Sequence, residues 1–457
     1  MPKTTASSAT LGGAPQTLVA GRDIRGDWWA LFGSQQIAEM VQQALHAHPD
    51  LTAAQATLRE AKENQRAEIG SYFPSVSAGL SAERAQQSLA GFGFGNTSVL
   101  YTLYSASLNV SYTLDVFGST RRQVEELGAQ ADYQKHELEA AYLSLTSNLV
   151  NAILTEAALK AQVEETQALI ALYADALRIT RSRFDAGSVS RADVLQQQAS
   201  LAAEVATLPG LQKQYAQERN TVAAYLGVLP GEYRWPTIDL ASLKLPGELP
   251  DVVSSAVVRQ RPDILAYEAL LHAAMANVGV ATANLYPQFT LSASYGREGS
   301  DIASLFTPTG ILWTIAGSLT QPLFEGGALL AKKRSAEAAL ESAAANYSST
   351  VNSAFKDVAN ALVAIDADAR TLQAELDSET TAAQSLAVTR SQFAAGAASY
   401  LSLLQAQQSY QSARLTLIAA QAARFTDTVA FYEALGGGWW NRKDVDPKVG
   451  ACCGLMP

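Results

Sequence analysis

The stretch TRSRFDAGSVSRADVLQQQAS, from Thr180 to Ser200, returns at Thr389 to Ser409 as TRSQFAAGAASYLSLLQAQQS, with eleven of twenty-one positions identical at an offset of 209. Three further pairs keep the same order at nearly the same spacing. HPDLTAAQATL from His48 pairs with RPDILAYEALL from Arg261, YFPSVSAGLS from Tyr72 with LYPQFTLSAS from Leu285, and DVFGSTRRQ from Asp115 with PLFEGGALL from Pro322. Chance similarity between Ala-rich helices does not preserve order, so the chain reads as an internal duplication. The copies are joined by VLPGEYRWPTIDLASLKLPGELP, Val228 to Pro250, whose four prolines and two glycines mark a connector. The expected organisation is an N-terminal segment (1–34), a first repeat (35–227), a connector (228–248), a second repeat (249–435) and a C-terminal tail (436–457).

Each copy has the same plan: a helix, a strand pair, a very long helix, a glycine turn and a returning helix. The first long helix is expected between Gly118 and Gly187, with no breaker between them. Its apolar residues include Val124, Leu127, Ala131, Leu138, Ala141, Leu145, Leu149, Ala152, Leu159, Val163, Ile170, Tyr173, Leu177 and Phe184, mostly in three- and four-residue steps. That is a heptad seam with a stutter at Leu145 to Leu149. About 66 residues at about 1.5 Å each give a rod of roughly 100 Å. The second long helix is expected from Gly327 to Phe393. Helices alone would suit a soluble coiled-coil scaffold.

Four segments argue against that reading. In SLNVSYTLD, Leu108, Val110, Tyr112 and Leu114 share one face, and Ser107, Asn109, Ser111, Thr113 and Asp115 the other. Phe289–Gly296, Ser75–Ser81 and Ile311–Thr320 alternate in the same way. Runs of about nine residues, apolar outward and small-polar inward, fit strands of an outer-membrane barrel, and no other part of the chain supplies an apolar layer to cover them. Four strands cannot close such a barrel, which needs at least about eight, and open edges in lipid leave backbone groups unpaired. A membrane role therefore requires several copies; three would supply twelve strands. Periodicity does not choose three over two or four.

Composition narrows the function further. A net charge of −10 provides no basic stripe for nucleic acid. No run of eighteen apolar residues occurs, so no transmembrane helix is expected. The two cysteines, Cys452 and Cys453, are adjacent and cannot staple a fold. His46, His48, His136 and His272 are scattered; His46 and His48, two apart, do not share a helix face as metal ligands would. GGALL after Glu325 lacks the Lys and Ser/Thr of a phosphate loop, and GFGFG (Gly91 to Gly95) reads as a surface loop. No catalytic, cofactor-binding or metal residue is assigned, and no cofactor is expected. The tryptophans of GGGWW, Gly436 to Trp440, are expected to pack after the last helix.

WWALFG, LPDVVSSAVVRQRPDILAYEALLHAAMANVGVATANLYPQFTLSAS, QPLFEGGALLAKKRSAEAALESAAANY, AFKDVANALVAI and FAAGAASYLSLLQAQQSYQSARL resemble the outer-membrane efflux proteins, closest to the NodT-type branch of the TolC-like family. The likeness covers about residues 27 to 440. It implies a mainly α fold with a membrane β-barrel: a homotrimer with a twelve-stranded barrel in outer-membrane lipid and a long α-helical barrel across the periplasm. It also implies docking through a periplasmic adaptor to an inner-membrane RND-type pump that drives export of small molecules. A type I protein secretion channel would share this architecture. In the family the glycine turns meet the adaptor; here they are Ala186, Gly187, Ser188 and Ala395, Gly396, Ala397. The family's acidic aperture position just past the second turn is Gln405 here, preceded by Leu401 and Ser402, while Asp193 with Arg191 matches the first copy. A closed tip is then expected to use Leu401, Gln405 and Asp193 rather than a full carboxylate ring. Family members also carry a leader, often followed by a lipidated Cys; neither is seen before Trp28, so the true start is expected upstream.

Overall fold

The computed structural model describes residues 16–88, 95, 97–251 and 259–442. The N-terminal stretch, most of the Gly91–Gly95 loop and Cys452 and Cys453 lie outside the described residues. Seven long helices carry most of the described residues: α1 (Gln35–Ala47), α2 (Pro49–Ile69), α3 (Ser119–Asp185), α4 (Arg191–Tyr225), α5 (Pro262–Ala283), α6 (Ala328–Ala395) and α7 (Tyr400–Ala434). The duplication survives in their lengths. α3 and α6 have 67 and 68 residues, and α4 and α7 have 35 each. Six strands complete the described fold: β1 (Thr17–Ala20), β2 (Ser75–Ser88), β3 (Ser98–Leu114), β4 (Glu248–Asp251), β5 (Gln288–Gly299) and β6 (Ile311–Thr320).

Helix boundaries follow local chemistry. α3 begins where both Asp115 oxygens accept the backbone N–H groups of Thr120 and Arg121, at 3.0 and 2.9 Å, satisfying two otherwise orphaned donors. α4 runs unbroken through Pro209, whose ring removes one internal hydrogen bond, against the usual reading of Pro-Gly as a breaker.

The chain divides into two compact units, and they cut across the repeats. One comprises residues 1–55, 136–265 and 350–457; the other comprises residues 56–135 and 266–349. Each takes matching pieces of both copies, because the duplicated halves pack beside each other rather than as separate beads. The first unit holds the most deeply buried aromatics. Trp28 and Phe32 are fully buried, Trp28 stacks on Tyr432 at 5.6 Å, and Phe32 meets Phe425 at 5.9 Å. There the helix α3 is buried on nearly every side from Leu149 to Ala158, including Val150, Ile153, Leu154 and Glu156. The seam expected from periodicity holds at Leu138, Leu145, Leu149, Ala152, Tyr173 and Leu177, but Leu169 is buried in place of Ile170, and Phe184 is exposed. The connector explains the all-round burial. Glu156, 2 % exposed, accepts from Arg219, Thr237 and Tyr233, and so ties α3 to both α4 and the connector. β1 and β4 form a short parallel pair, with Thr17 opposite Glu248, which alternation over four residues did not reveal.

The second unit holds the main sheet, ordered β2-β3-β5-β6 and antiparallel throughout. Three of the strands are longer than expected, 14, 17 and 12 residues, and β6 matches the expected Ile311–Thr320. Helix α5, by length and composition, is the one described helix able to cross a membrane. Its polar side chains, however, bind α3: His272 pairs with Glu125 at 2.8 Å and Asn277 donates to Glu126 at 3.0 Å.

Candidate functional site

Register decides what the alternating segments can do. Residues directly opposite one another across a sheet share a face. Val76, Val110, Ala293 and Ile315 form one such row, and Ala78, Leu108, Tyr295 and Trp313 the next on that face. Leu114, Phe289 and Leu319 close it at one end. The opposite face carries Ser77, Asn109, Ser294 and Thr314, and then Thr113, Thr290 and Ser318. From Ser75 to Ala82, Tyr104 to Leu114 and along the facing parts of β5 and β6, each strand's alternation is therefore in phase with its neighbours, giving an apolar face and a small-polar face. Within this stretch Leu312 falls in a row with Gly79, Ser107 and Gly296, and Arg297 in the row of Leu80, Ala106 and Ile311; beyond it the β2–β3 ribbon loses the pattern, with Arg84, Thr102 and Gln86 in the apolar phase and Leu103, Tyr101 and Val99 in the polar one. The apolar face is bare, with Leu80, Trp313, Ile315 and Leu319 all well exposed. All four strand–helix junctions add an exposed aromatic, Phe73, Phe117, Tyr286 and Phe324, and Phe117 stacks on Tyr286 at 4.8 Å. In this sheet, β2 and β6 each pair on one side only.

The two glycine turns are built alike. After α3, Gly187 donates to Phe184 O at 2.9 Å and Ser188 to Arg183 O at 2.8 Å, with Gly187 at φ +73°. After α6, Gly396 donates to Phe393 O at 3.1 Å and Ala397 to Gln392 O at 2.8 Å, with Gly396 at φ +85°. Both are Schellman endings that need a left-handed residue after the helix. Each returning helix then starts on a serine cap, Ser190 receiving from Asp193 N at 3.2 Å and Ser399 from Ser402 N at 3.1 Å. Ala186, Gly187, Ser188, Ala395, Gly396 and Ala397 are all exposed.

The residues expected at the aperture are placed less simply. Asp193 completes a capping box, its Oδ2 accepting from Ser190 N at 2.9 Å and from Ser190 Oγ at 2.8 Å. That bonding holds it at the start of α4. Leu401 and Gln405, four apart on α7, are exposed together, Leu401 by 60 %; Arg191 is exposed and Ser402 is engaged in its own cap.

Packing behind the turns was not read from the sequence. Tyr173, Leu386, Phe393, Tyr400, Leu403 and Leu404 form an apolar cluster joining both hairpins. The Tyr173 hydroxyl donates to Gln411 at 3.2 Å, and Gln411 donates to the buried Glu204, whose carboxyl burial pushes up. Arg414 then binds Glu165 at 2.7 Å and Glu379 at 3.4 Å. Asp175 bridges to Arg390 across the hairpins. Arg183 donates to the carbonyl of Ala394 at 3.2 Å. Its one sequence signal was a difference between the copies, since its counterpart is Gln392.

Comparison with known proteins agrees with this geometry. The profile of the family described as outer membrane efflux protein matches residues 40–228 and 253–437, both repeats. The pyoverdine export outer membrane protein OpmQ of Pseudomonas putida is 30 % identical over 420 residues, covering 90 % of this chain and 88 % of its own. The probable efflux pump outer membrane protein TtgC of the same species is 28 % identical, covering 91 % and 86 %. The solved outer-membrane channel OprN superposes with a TM-score of 0.88 at 26 % identity, over 96 % of this chain and 98 % of that one. Duplicated hairpins, an amphipathic sheet and a profile spanning both repeats lead to one conclusion: the chain belongs to the outer membrane efflux protein family.

Proposed function

We propose that three copies of this chain close a twelve-stranded barrel in the outer membrane, continued by a barrel of the long helices across the periplasm. The observation that carries this reading is the in-phase sheet: one bare apolar face, one small-polar face, and two edges with free backbone groups. Lipid removes the water that would otherwise satisfy those edges, so they must pair with other copies. From Ala106 to Leu114 the apolar face runs about 27 Å along the strand at about 3.4 Å per residue. Tilted by about 40°, that is roughly 20 Å of height, near the apolar band of such barrels. The exposed junction aromatics suit the water–lipid boundary.

The protein is then the passive exit channel of a tripartite efflux system, energised by an inner-membrane RND-type pump through a periplasmic adaptor. The exposed turns at Gly187 and Gly396 are the adaptor's docking surface, and Leu401 and Gln405, with Ser402, Arg191 and Asp193 nearby, border the aperture. Expression in a cell lacking its own channel, with the cognate adaptor and pump, tests the reading. Outer-membrane fractionation together with restored drug tolerance is expected. Recovery of the full chain in the aqueous fraction without tolerance overturns it.

A further inference from the structure

The two turns share a backbone but not their surroundings. Phe184 and Phe393 hold the same repeat position, yet Phe393 is 1 % exposed and Phe184 41 %. The differences between the copies account for this. Tyr400 stands where the first copy has Arg191, and its ring meets Phe393 edge-on at 6.5 Å. Arg183 stands where the second copy has Gln392, and its guanidinium lies over the Phe393 ring at 4.6 Å. Its Nη2 donates to Ala394 O at 3.2 Å, and the same nitrogen lies 3.4 Å from where a Cβ on Gly396 would sit.

That carbonyl is one of the last four of α6, which have no internal donor. Two of them, on Gln392 and Phe393, are met by the turn's own N–H groups. Arg183 reaches from the first hairpin to meet a third, placing a cation at the negative end of the helix. The reciprocal position holds Gln392, whose neutral side chain brings no cation to the end of α3.

We propose that Arg183 is a positioning residue that fixes the second turn, Ala395–Ala397, at one spacing from the first, Ala186–Ser188, so that a partner docking on both meets a preformed surface. The proposal rests on reading those turns as the docking surface, and its test separates the two ideas. Spin labels at positions 186 and 397, with Cys452 and Cys453 replaced by Ser, report the spacing in the purified assembly without any adaptor. A narrow distance distribution is expected for the parent. Arg183→Ala and Arg183→Gln should broaden and shift it, and Arg183→Lys, which keeps a cation and a donor, should restore part of the narrowing. Photo-cross-linking to the adaptor is then read separately from positions 188 and 397. Arg183→Ala should lower the yield from 397 by about tenfold, the weight of one hydrogen bond and one cation–π contact, and leave 188 near parent level. An unchanged distribution in Arg183→Ala overturns the clamp whatever the adaptor does. A narrowed parent distribution that broadens in the variant, with no cross-link from either turn in the parent, upholds the clamp and removes the docking reading.

Discussion

At Gly187 and Gly396 the backbone sits in the left-handed region, and nothing lies within 4 Å of a Cβ built on Gly187. A substitution at Gly187 therefore costs backbone strain and little else. A β-branched residue there is expected to cost about 1–2 kcal/mol of local stability, small for hairpins packed along their length. Gly187→Val, Gly396→Val and the double mutant should assemble at normal levels, cross-link less to the adaptor and leave cells more drug-susceptible, the double mutant most. Normal cross-linking and export in the double mutant would exclude these turns from docking. A second residue-scale effect belongs to Asp368 on α6. Burial, a hydrogen bond with Asp427 on α7 and that neighbour's charge push its carboxyl up to about 7. The folded state then keeps a proton that the unfolded chain releases, so this contribution is full below about pH 4 and is lost as pH rises through about 7. Thermal midpoints across that range should fall more in the parent than in Asp368→Asn; parallel curves would refute the shift.

At the scale of elements, the strand faces can be separated by neighbours. Val110 lies in an apolar row and Asn109 in a polar one. Val110→Arg should impair barrel assembly by about 2–4 kcal/mol near the membrane midplane, whereas Asn109→Arg, facing the lumen, should be milder. Folding assays in lipid vesicles that found equal damage would contradict the face assignment. The connector offers a different test. Removing the Glu156 carboxylate strands a half-buried Arg219 and two hydroxyl donors, Thr237 and Tyr233. Glu156→Ala is expected to cost about 3 kcal/mol and to open the connector to protease between residues 228 and 250, with the strands unaffected.

For the whole molecule, one chain contributes four strands to the main sheet and leaves both of its edges unpaired. The purified protein should accordingly be a trimer that resists mild detergent, with a mass three times that of the chain by light scattering after correction for bound detergent. A monodisperse monomer in aqueous buffer would contradict the barrel. Within the chain, the units of packing cut across the repeats because each copy's helices complete the other's core.

The sequence alone determined the features whose causes are local. A glycine at positive φ ends a helix through its own backbone, so Gly187 was legible as a turn without any tertiary contact. Alternation over nine residues assigned the faces of Leu108, Val110 and Tyr112 because side chains in a strand alternate regardless of neighbours. Duplication was legible because both copies kept their order. What only tertiary structure decided depends on which distant segment covers a residue. Leu149 to Ala158 became buried all round where α4 and the connector close over Glu156, a fact absent from any heptad. β1 found β4 across more than two hundred residues. Asp193 became a cap, and Phe393 but not Phe184 was sealed, because burial is a property of the surrounding chain and the surroundings of the two copies differ by an arginine and a tyrosine.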